Sequence, residues 1–176
     1  VEIAITTIIQ LGSLDLRTTH MDGAWRMKAL LQRVTSANVV VGSEIIGEID
    51  SGWVVLLGVG RGDSSQDVVK LVDKILGLRL FSDEQGRFNL SVQETKGAIL
   101  IVSQFTLFAD CTRGRRPGFS LAASPDMANQ LYEMFIDEMK KSGLVVQTGR
   151  FGADMKVALV NDGPVTVMLD THEFGP

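Results

Sequence analysis

The run MKALLQRVTSANVVVGSEIIGEIDSGWVVLLGV, residues 27 to 59, decides the class of fold. Its apolar residues come in short stretches rich in Val, Ile and Leu, punctuated by Gly42, Gly47 and the Ser51-Gly52 pair. Such stretches form strands, because β-branched side chains suit a pleated surface and glycine marks the turns between them. The reading is four strands, over residues 29–34, 38–41, 44–49 and 52–59, in an antiparallel meander. Downstream, Val68, Val69, Leu71, Val72, Ile75 and Leu76 recur at helical spacing behind the capping candidates Ser64 and Ser65. A second helix is signalled more fully. Ser124 stands at the N-cap, Pro125 at the first position and Asp126 in the first turn; Met127, Leu131, Met134, Phe135 and Met139 form its apolar stripe. Lys140-Lys141 and then Gly143 close it. Further strands are expected over residues 78–82, around 98–109, and over 144–148, 155–160 and 165–169. Strands thus arrive in runs instead of alternating with helices, which predicts an α+β fold: antiparallel β-sheets forming a barrel-like or sandwich core with two main helices packed outside.

Size and composition bound the rest. The chain has 176 residues, 45% of them hydrophobic, and no Pro/Ser-rich linker follows residue 27, so residues 27–176 are expected to form one domain. Residues 1–26 mix acids and bases, lack the ordered regions of a secretory signal, and break their apolar stretch with Thr6, Thr7 and Gln10. They read as an extension or the product of an upstream start, dispensable and poorly ordered. Apolar runs such as Trp53 to Val59 fall well short of the ~20 residues a spanning helix needs, and the expected protein is soluble. Cys111 is the lone cysteine, which rules out an intramolecular disulfide and fits a reducing, cytoplasmic compartment; it is expected to be a small packing residue, since no histidine lies near it in sequence. A net charge of −4 argues against a protein that coats nucleic acid over its whole surface. A local contact is still open, because Arg113, Arg115 and Arg116 form a dense basic cluster that is either a solvated loop or a phosphate contact.

Two polar segments stand out against this apolar background. Ala98 to Val102 leads straight into Ser103-Gln104-Phe105-Thr106-Leu107, which places hydroxyl and amide groups at the mouth of a buried strand. Left unpaired there, each costs about 1–3 kcal/mol. Asn161-Asp162-Gly163-Pro164-Val165-Thr166 interrupts the last apolar run, and by itself it reads as a tight turn joining two antiparallel strands. Its Gly-Pro bond can also be cis. Other chemistry is disfavoured. Gly58-Val59-Gly60-Arg61-Gly62 misses the dinucleotide-binding spacing by one residue and lacks the lysine of a phosphate loop, so it reads as a strand-to-helix turn. His20 and His172 are the only histidines, which leaves no nucleophile–histidine pair and no zinc-ligand spacing; neither metal nor cofactor is expected.

Taken together, SQFTL and NDGPVT resemble the motifs of the D-aminoacyl-tRNA deacylase family. Three further stretches extend the resemblance: residues 27–34 (MKALLQRV) are similar to the family's amino terminus, 78–83 (LRLFSD) to its central strand, and 148–153 (TGRFGA) to the approach to its last hairpin. The resemblance covers residues 27 to about 170 and implies hydrolysis of the ester joining a D-amino acid to tRNA, with L-aminoacyl esters spared. It implies catalysis by Ser103, Gln104, Phe105 and Thr106, with backbone N–H groups near Gln104 and Phe105 as an oxyanion hole and the 2′-OH of the tRNA's own terminal ribose assisting attack by water. Thr106 would be either a nucleophile or a shaping residue, and the second is favoured because no base is in evidence to activate it. Substrate would also meet Asn161, Gly163, Pro164, Val165 and Thr166, with Gly163-Pro164 cis and entering the opposite subunit of a homodimer. Arg113, Arg115 and Arg116 would touch tRNA. Glycyl-tRNA would pass a filter that excludes only L side chains. The competing expectation is a noncatalytic nucleic-acid-binding module on the same scaffold.

Overall fold

Alternating side chains put two apolar faces on the central strands, and the rest of the fold covers both. In the computed structural model, which describes residues 27–174, the chain forms β1 (Lys28–Val41), β2 (Glu44–Ile49), β3 (Gly52–Gly58) and α1 (Ser65–Gly77). A short pair, β4 (Phe81–Ser82) and β5 (Phe88–Leu90), then leads to the one-turn α2 (Val92–Thr95) and to β6 (Ala98–Ser103). A 3-10 turn at Phe105–Phe108, α3 (Pro125–Lys140), β7 (Val146–Thr148) and β8 (Lys156–Asp170) complete the order. Residues 1–26, expected to be a dispensable extension, lie outside the described residues.

Trp53, Val55 and Leu57 of β3, with Ile99 and Ile101 of β6, face the helices, where they pack against Leu71 and Ile75 of α1 and Phe135 and Met139 of α3. Val54, Leu100 and Val102 face the other way, into a smaller core with Val34, Val39 and Ile49. Each such buried side chain contributes about 1.5–3 kcal/mol. The main sheet has six strands in the order β2-β1-β3-β6-β7, with β8 added on β1. It curls until β2 meets β7: a Cβ on Gly47 would stand 2.7 Å from the Thr148 carbonyl oxygen, so the nearly closed barrel depends on glycine there.

The α+β class and the barrel-like core match expectation, but the sheet is mixed. β3 pairs with β6 and β6 with β7 in parallel. Helix-bearing connections run between the members of each pair, as parallel pairing requires, and a strand covered on both faces reads as one continuous apolar run. Other boundaries moved as well. β1 does not break at Thr35-Ser36, because β8 pairs along most of its length and carries it across, Ser36 opposite Val160. The strand expected around 98–109 ends at Ser103, and that expected over 78–82 shrinks to Phe81–Ser82. Val69 and Met134, expected in the helical stripes, are exposed, since the buried arc of each helix is filled by its neighbours. Cys111 is exposed as well, on a loop that buries nothing.

Candidate active site

The last residues of β6 leave the sheet at a point where the ladder has just run out of partners. Ser103 is still paired with Leu57, and the Gln104 N–H donates to the Leu57 carbonyl at 2.7 Å. That bond removes Gln104 from the expected pair of oxyanion donors, because the β3–β6 ladder reaches one residue further than the strand itself. The chain then tightens into the 3-10 turn, whose Leu107 N–H bonds to Gln104 O and whose Ala109 N–H bonds to Thr106 O. The N–H groups of Phe105 and Thr106, first in that turn, have no helical acceptor behind them. The Gln104 Nε2 donates to the Thr106 Oγ1, so the hydroxyl of Thr106 is held by an amide that cannot take its proton.

Beside this turn lies a cavity of about 480 Å³, lined by Ser103, Gln104 and Phe105, by Leu57 and Val59 of β3 and the turn after it, and by Ala128 and Tyr132 of α3. Phe151, Ala153, Met155 and Val157 close its other side. Tyr132 is anchored by donating to Ile101 O at 3.0 Å, and burial pushes its hydroxyl up to about 12. It therefore serves as a neutral wall. Phe151 leans on the Tyr132 ring at 5.7 Å between centroids. The walls are apolar and the mouth is polar, an arrangement suited to a flat ring system with a reacting group at its edge.

Gly58 to Gly62 is the strand-to-helix turn the sequence suggested. The Gly60 N–H donates to Asp63 Oδ2 at 2.6 Å, and the Ser64 N–H to Asp67 Oδ2 at 2.9 Å. Burial, reinforced by the negative charges of Asp67 and Asp170 and opposed by backbone hydrogen bonds, raises the Asp63 carboxyl from 3.8 to about 7.

Asn161 to Thr166 is not a hairpin turn. Both flanks pair with the same strand, Asn161 opposite Val34 and Thr166 opposite Gln32, so residues 162–165 form an excursion facing Arg33. Short-range turn chemistry cannot tell a reversal from a bulge, since both need Gly and Pro. The excursion is braced from within and from below. Asn161 Oδ1 accepts from the Val165 N–H at 3.1 Å, and its Nδ2 donates to Thr166 Oγ1 at 2.8 Å. Arg33, buried, places Nε 3.0 Å from Asp162 Oδ2 and donates from Nη1 to Leu80 O at 2.6 Å. Gly163-Pro164 is cis, and both residues are exposed. Gly163 sits at φ 118°, where a Cβ would meet Val165 Cγ2 at 2.8 Å. No residue of 161–166 lines the cavity of its own chain. Along β8, Gly163 stands roughly 20 Å beyond Val157, the last cavity residue on that strand.

Arg33 is the site residue that sequence reasoning missed. It occupies the inward register set by Ala29 and Leu31, and a charge at a core position was the readable signal. Arg113, Arg115 and Arg116 are exposed on a loop pinched shut at its base, where Asp110 and Gly118 exchange backbone bonds of 2.7 and 2.9 Å. Bonds from the Thr112 hydroxyl and N–H, with the Arg113 charge nearby, hold the Asp110 carboxyl below its ordinary value. Among the described residues, no three His, Cys, Asp or Glu side chains are placed to hold a metal ion, and no helix is long and apolar enough to cross a membrane.

Comparison with known proteins bears on this geometry. The family model described as D-Tyr-tRNA(Tyr) deacylase matches residues 30–170. A protein of Thermosipho melanesiensis named D-aminoacyl-tRNA deacylase is 56% identical over 148 residues, covering 84% of this chain and 99% of that protein. Its namesake in Pectobacterium atrosepticum is 53% identical over 145 residues, 82% of this chain and 100% of that one. Among solved structures, the c-Myc DNA unwinding element binding protein is 42% identical with a TM-score of 0.76, over 81% of this chain and 97% of that one. A probable eukaryotic D-amino acid tRNA deacylase shares the fold, with a TM-score of 0.73 at 18% identity over 82% of this chain and 98% of that one. The matched span holds both polar motifs, the cavity and the braced excursion, and on it the chain belongs to the D-Tyr-tRNA(Tyr) deacylase family.

Proposed function

We propose that this chain is a D-aminoacyl-tRNA deacylase, a hydrolase that cleaves the ester joining a D-amino acid to the 3′-terminal adenosine of tRNA and spares the L ester. The observation that carries the reading is the apolar cavity whose mouth is formed by Ser103, Gln104 and Phe105, with the N–H groups of Phe105 and Thr106 standing first in the turn there. Adenine fills the cavity. The ester carbonyl faces the N–H groups of Phe105 and Thr106, which stabilise negative charge as it develops on oxygen. Water adds to the carbonyl carbon, assisted by the 2′-OH of the terminal ribose; the bond to the ribose oxygen breaks, and that oxygen takes the proton. An aminoacyl ester is already activated, so orientation supplies much of what is needed. Thr106, held by Gln104, shapes the site and forms no bond to the substrate.

Handedness comes from a second copy. The excursion is rigid, exposed and distant from its own cavity, which supports a homodimer in which Gly163-Pro164 of one protomer enters the cavity mouth of its partner. Asn161, Val165 and Thr166 hold it in shape there. Its backbone carbonyls receive the α-amino group, and an L side chain collides with its backbone. Glycine has no side chain to collide, so glycyl-tRNA is cleaved as well. Arg113, Arg115 and Arg116 meet tRNA phosphates, and the setting is the cytoplasm. Residues 27–176 act as one domain, to which residues 1–26 add nothing essential.

The test is ester loss from D-tyrosyl-tRNA and L-tyrosyl-tRNA incubated with the purified protein. Rapid loss of the D ester alone is expected. A second reading, a noncatalytic nucleic-acid-binding module, draws on the name of the 42% identical DNA unwinding element binding protein. Binding of tRNA with both esters left intact would establish it instead.

A further inference from the structure

Large apolar side chains in water need a reason, and two stand together at the cavity mouth. Phe105 is 58% exposed and Phe119 36% exposed. Their rings form an edge-to-face pair with centroids 5.0 Å apart at 63°. An edge-to-face contact leaves ring faces uncovered, and the favourable pairing of the two rings fixes how those faces are presented.

The surroundings say what such faces could receive. Phe105 lines the cavity, so the pair begins where the cavity ends. Phe119 directly follows Gly118, the closing residue of the loop that carries Arg113, Arg115 and Arg116. Its position is fixed on the other side too: the Ala122 N–H donates to Phe119 O at 3.1 Å, the Arg61 N–H to Leu121 O at 3.1 Å, and the Ala123 N–H to Val59 O at 2.9 Å. An aromatic pair thus lies between an apolar cavity and three exposed cations, in a chain whose net charge is −4. Exposed rings beside cations are the means by which proteins hold single-stranded nucleic acid, since every base has a π-face and every linkage a phosphate.

We propose that Phe119, paired with Phe105, is a stacking platform for the unpaired nucleobase that precedes the terminal adenosine of the tRNA. The inference rests on the deacylase reading, which puts the terminal adenosine in the cavity. The next nucleotide must then leave past the Phe105 rim toward the arginine loop. Stacking there fixes the single-stranded end and adds affinity without touching the ester. Phe119 is a positioning residue and takes no part in the bond changes.

Two substrates separate the platform from the chemistry: D-tyrosyl-tRNA, and D-tyrosyl-adenosine, which has no second base. Phe119→Ala is expected to raise KM for D-tyrosyl-tRNA by roughly tenfold with kcat little changed. On D-tyrosyl-adenosine the same variant should act as the unaltered protein does, and Phe119→Trp should restore the low KM on tRNA. A D-tyrosyl-tRNA with an abasic residue next to its terminal adenosine gives the same information without altering the protein. It should lose the same factor, and Phe119→Ala should add nothing to that loss. An equal loss on both substrates, or an abasic tRNA cleaved as efficiently as the intact one, overturns the platform and assigns the ring to the aminoacyl side chain or to a subunit contact. Failure of the unaltered protein to cleave either substrate sinks the deacylase reading and the platform with it.

Discussion

If the Asp162–Val165 excursion serves the partner's cavity, two differently crippled protomers should repair each other. Arg33→Met removes the pin beneath the excursion. Its charged hydrogen bond to Leu80 O, 2.6 Å long, contributes about 1.5–3 kcal/mol. The 3.0 Å ion pair to the half-exposed Asp162 adds about 0.5 kcal/mol. Placement of the guanidinium 5.9 Å and 5.5 Å from the Phe81 and Phe88 ring centroids adds about 0.5–1 kcal/mol. Arg33→Met should therefore lower the unfolding free energy in urea by about 3 kcal/mol. With the excursion no longer held, kcat/KM on D-tyrosyl-tRNA should fall by at least about tenfold. Ala128→Trp fills the cavity from α3 and leaves the excursion intact. Each variant alone is a poor enzyme. Co-expressed in equal amounts, half of the dimers are mixed, and each mixed dimer joins one sound cavity to one sound excursion. Activity of those mixed dimers should return to about half of that of the unaltered protein. The assay is the initial rate of D-tyrosyl-tRNA cleavage by dimers purified through two different affinity tags. A mixed population no more active than the mean of its parents would refute the composite site.

Gly163→Ala forces a side chain into a backbone conformation at φ 118° and against Val165, a strain of roughly 1–3 kcal/mol; it should shift the excursion and narrow the ratio of D- to L-tyrosyl-tRNA cleavage rates. An unchanged ratio would count against exclusion of the L side chain by the excursion's backbone. Thr106→Ala should slow cleavage roughly tenfold, and rapid-quench mass spectrometry of the unaltered protein should find no aminoacyl group on Thr106. An acylated Thr106 would restore the nucleophile. Treatment with EDTA, followed by return of the magnesium that tRNA needs to stay folded, should leave cleavage within about twofold; recovery by zinc alone would contradict this. Asp63 keeps its proton in the folded state up to about pH 7 but sheds it near 3.8 when unfolded, so its contribution to stability is complete below pH 4 and is lost as pH rises to 7. Urea unfolding of Asp63→Asn should therefore gain on the unaltered protein between pH 4.5 and pH 8, by on the order of 3 kcal/mol; a pH-independent difference would refute the assignment.

What the sequence determined by itself is local. Helix α3 begins at Ser124-Pro125, where its cap and first-turn residues said it would, and the turn at Gly58 to Gly62 joins a strand to a helix. Those signals lie within a few residues of one another, and hydrogen bonds of a turn or cap are made at that range. The two polar motifs were legible for the same kind of reason, since hydroxyls and amides at the end of an apolar run demand partners wherever they are found. Only the tertiary structure decided the rest. Parallel pairing of β3 with β6 spends the Gln104 N–H on the Leu57 carbonyl. Arg33 meets Asp162 because β1 and β8 lie side by side, and that pairing turns a segment resembling a hairpin turn into a projecting excursion. The cavity is the space left where β3, β6, α3 and residues 151–157 fail to touch. Empty space between distant segments leaves no periodicity in any one of them, so it comes into being only when the sheet has curled and the helices have closed over it.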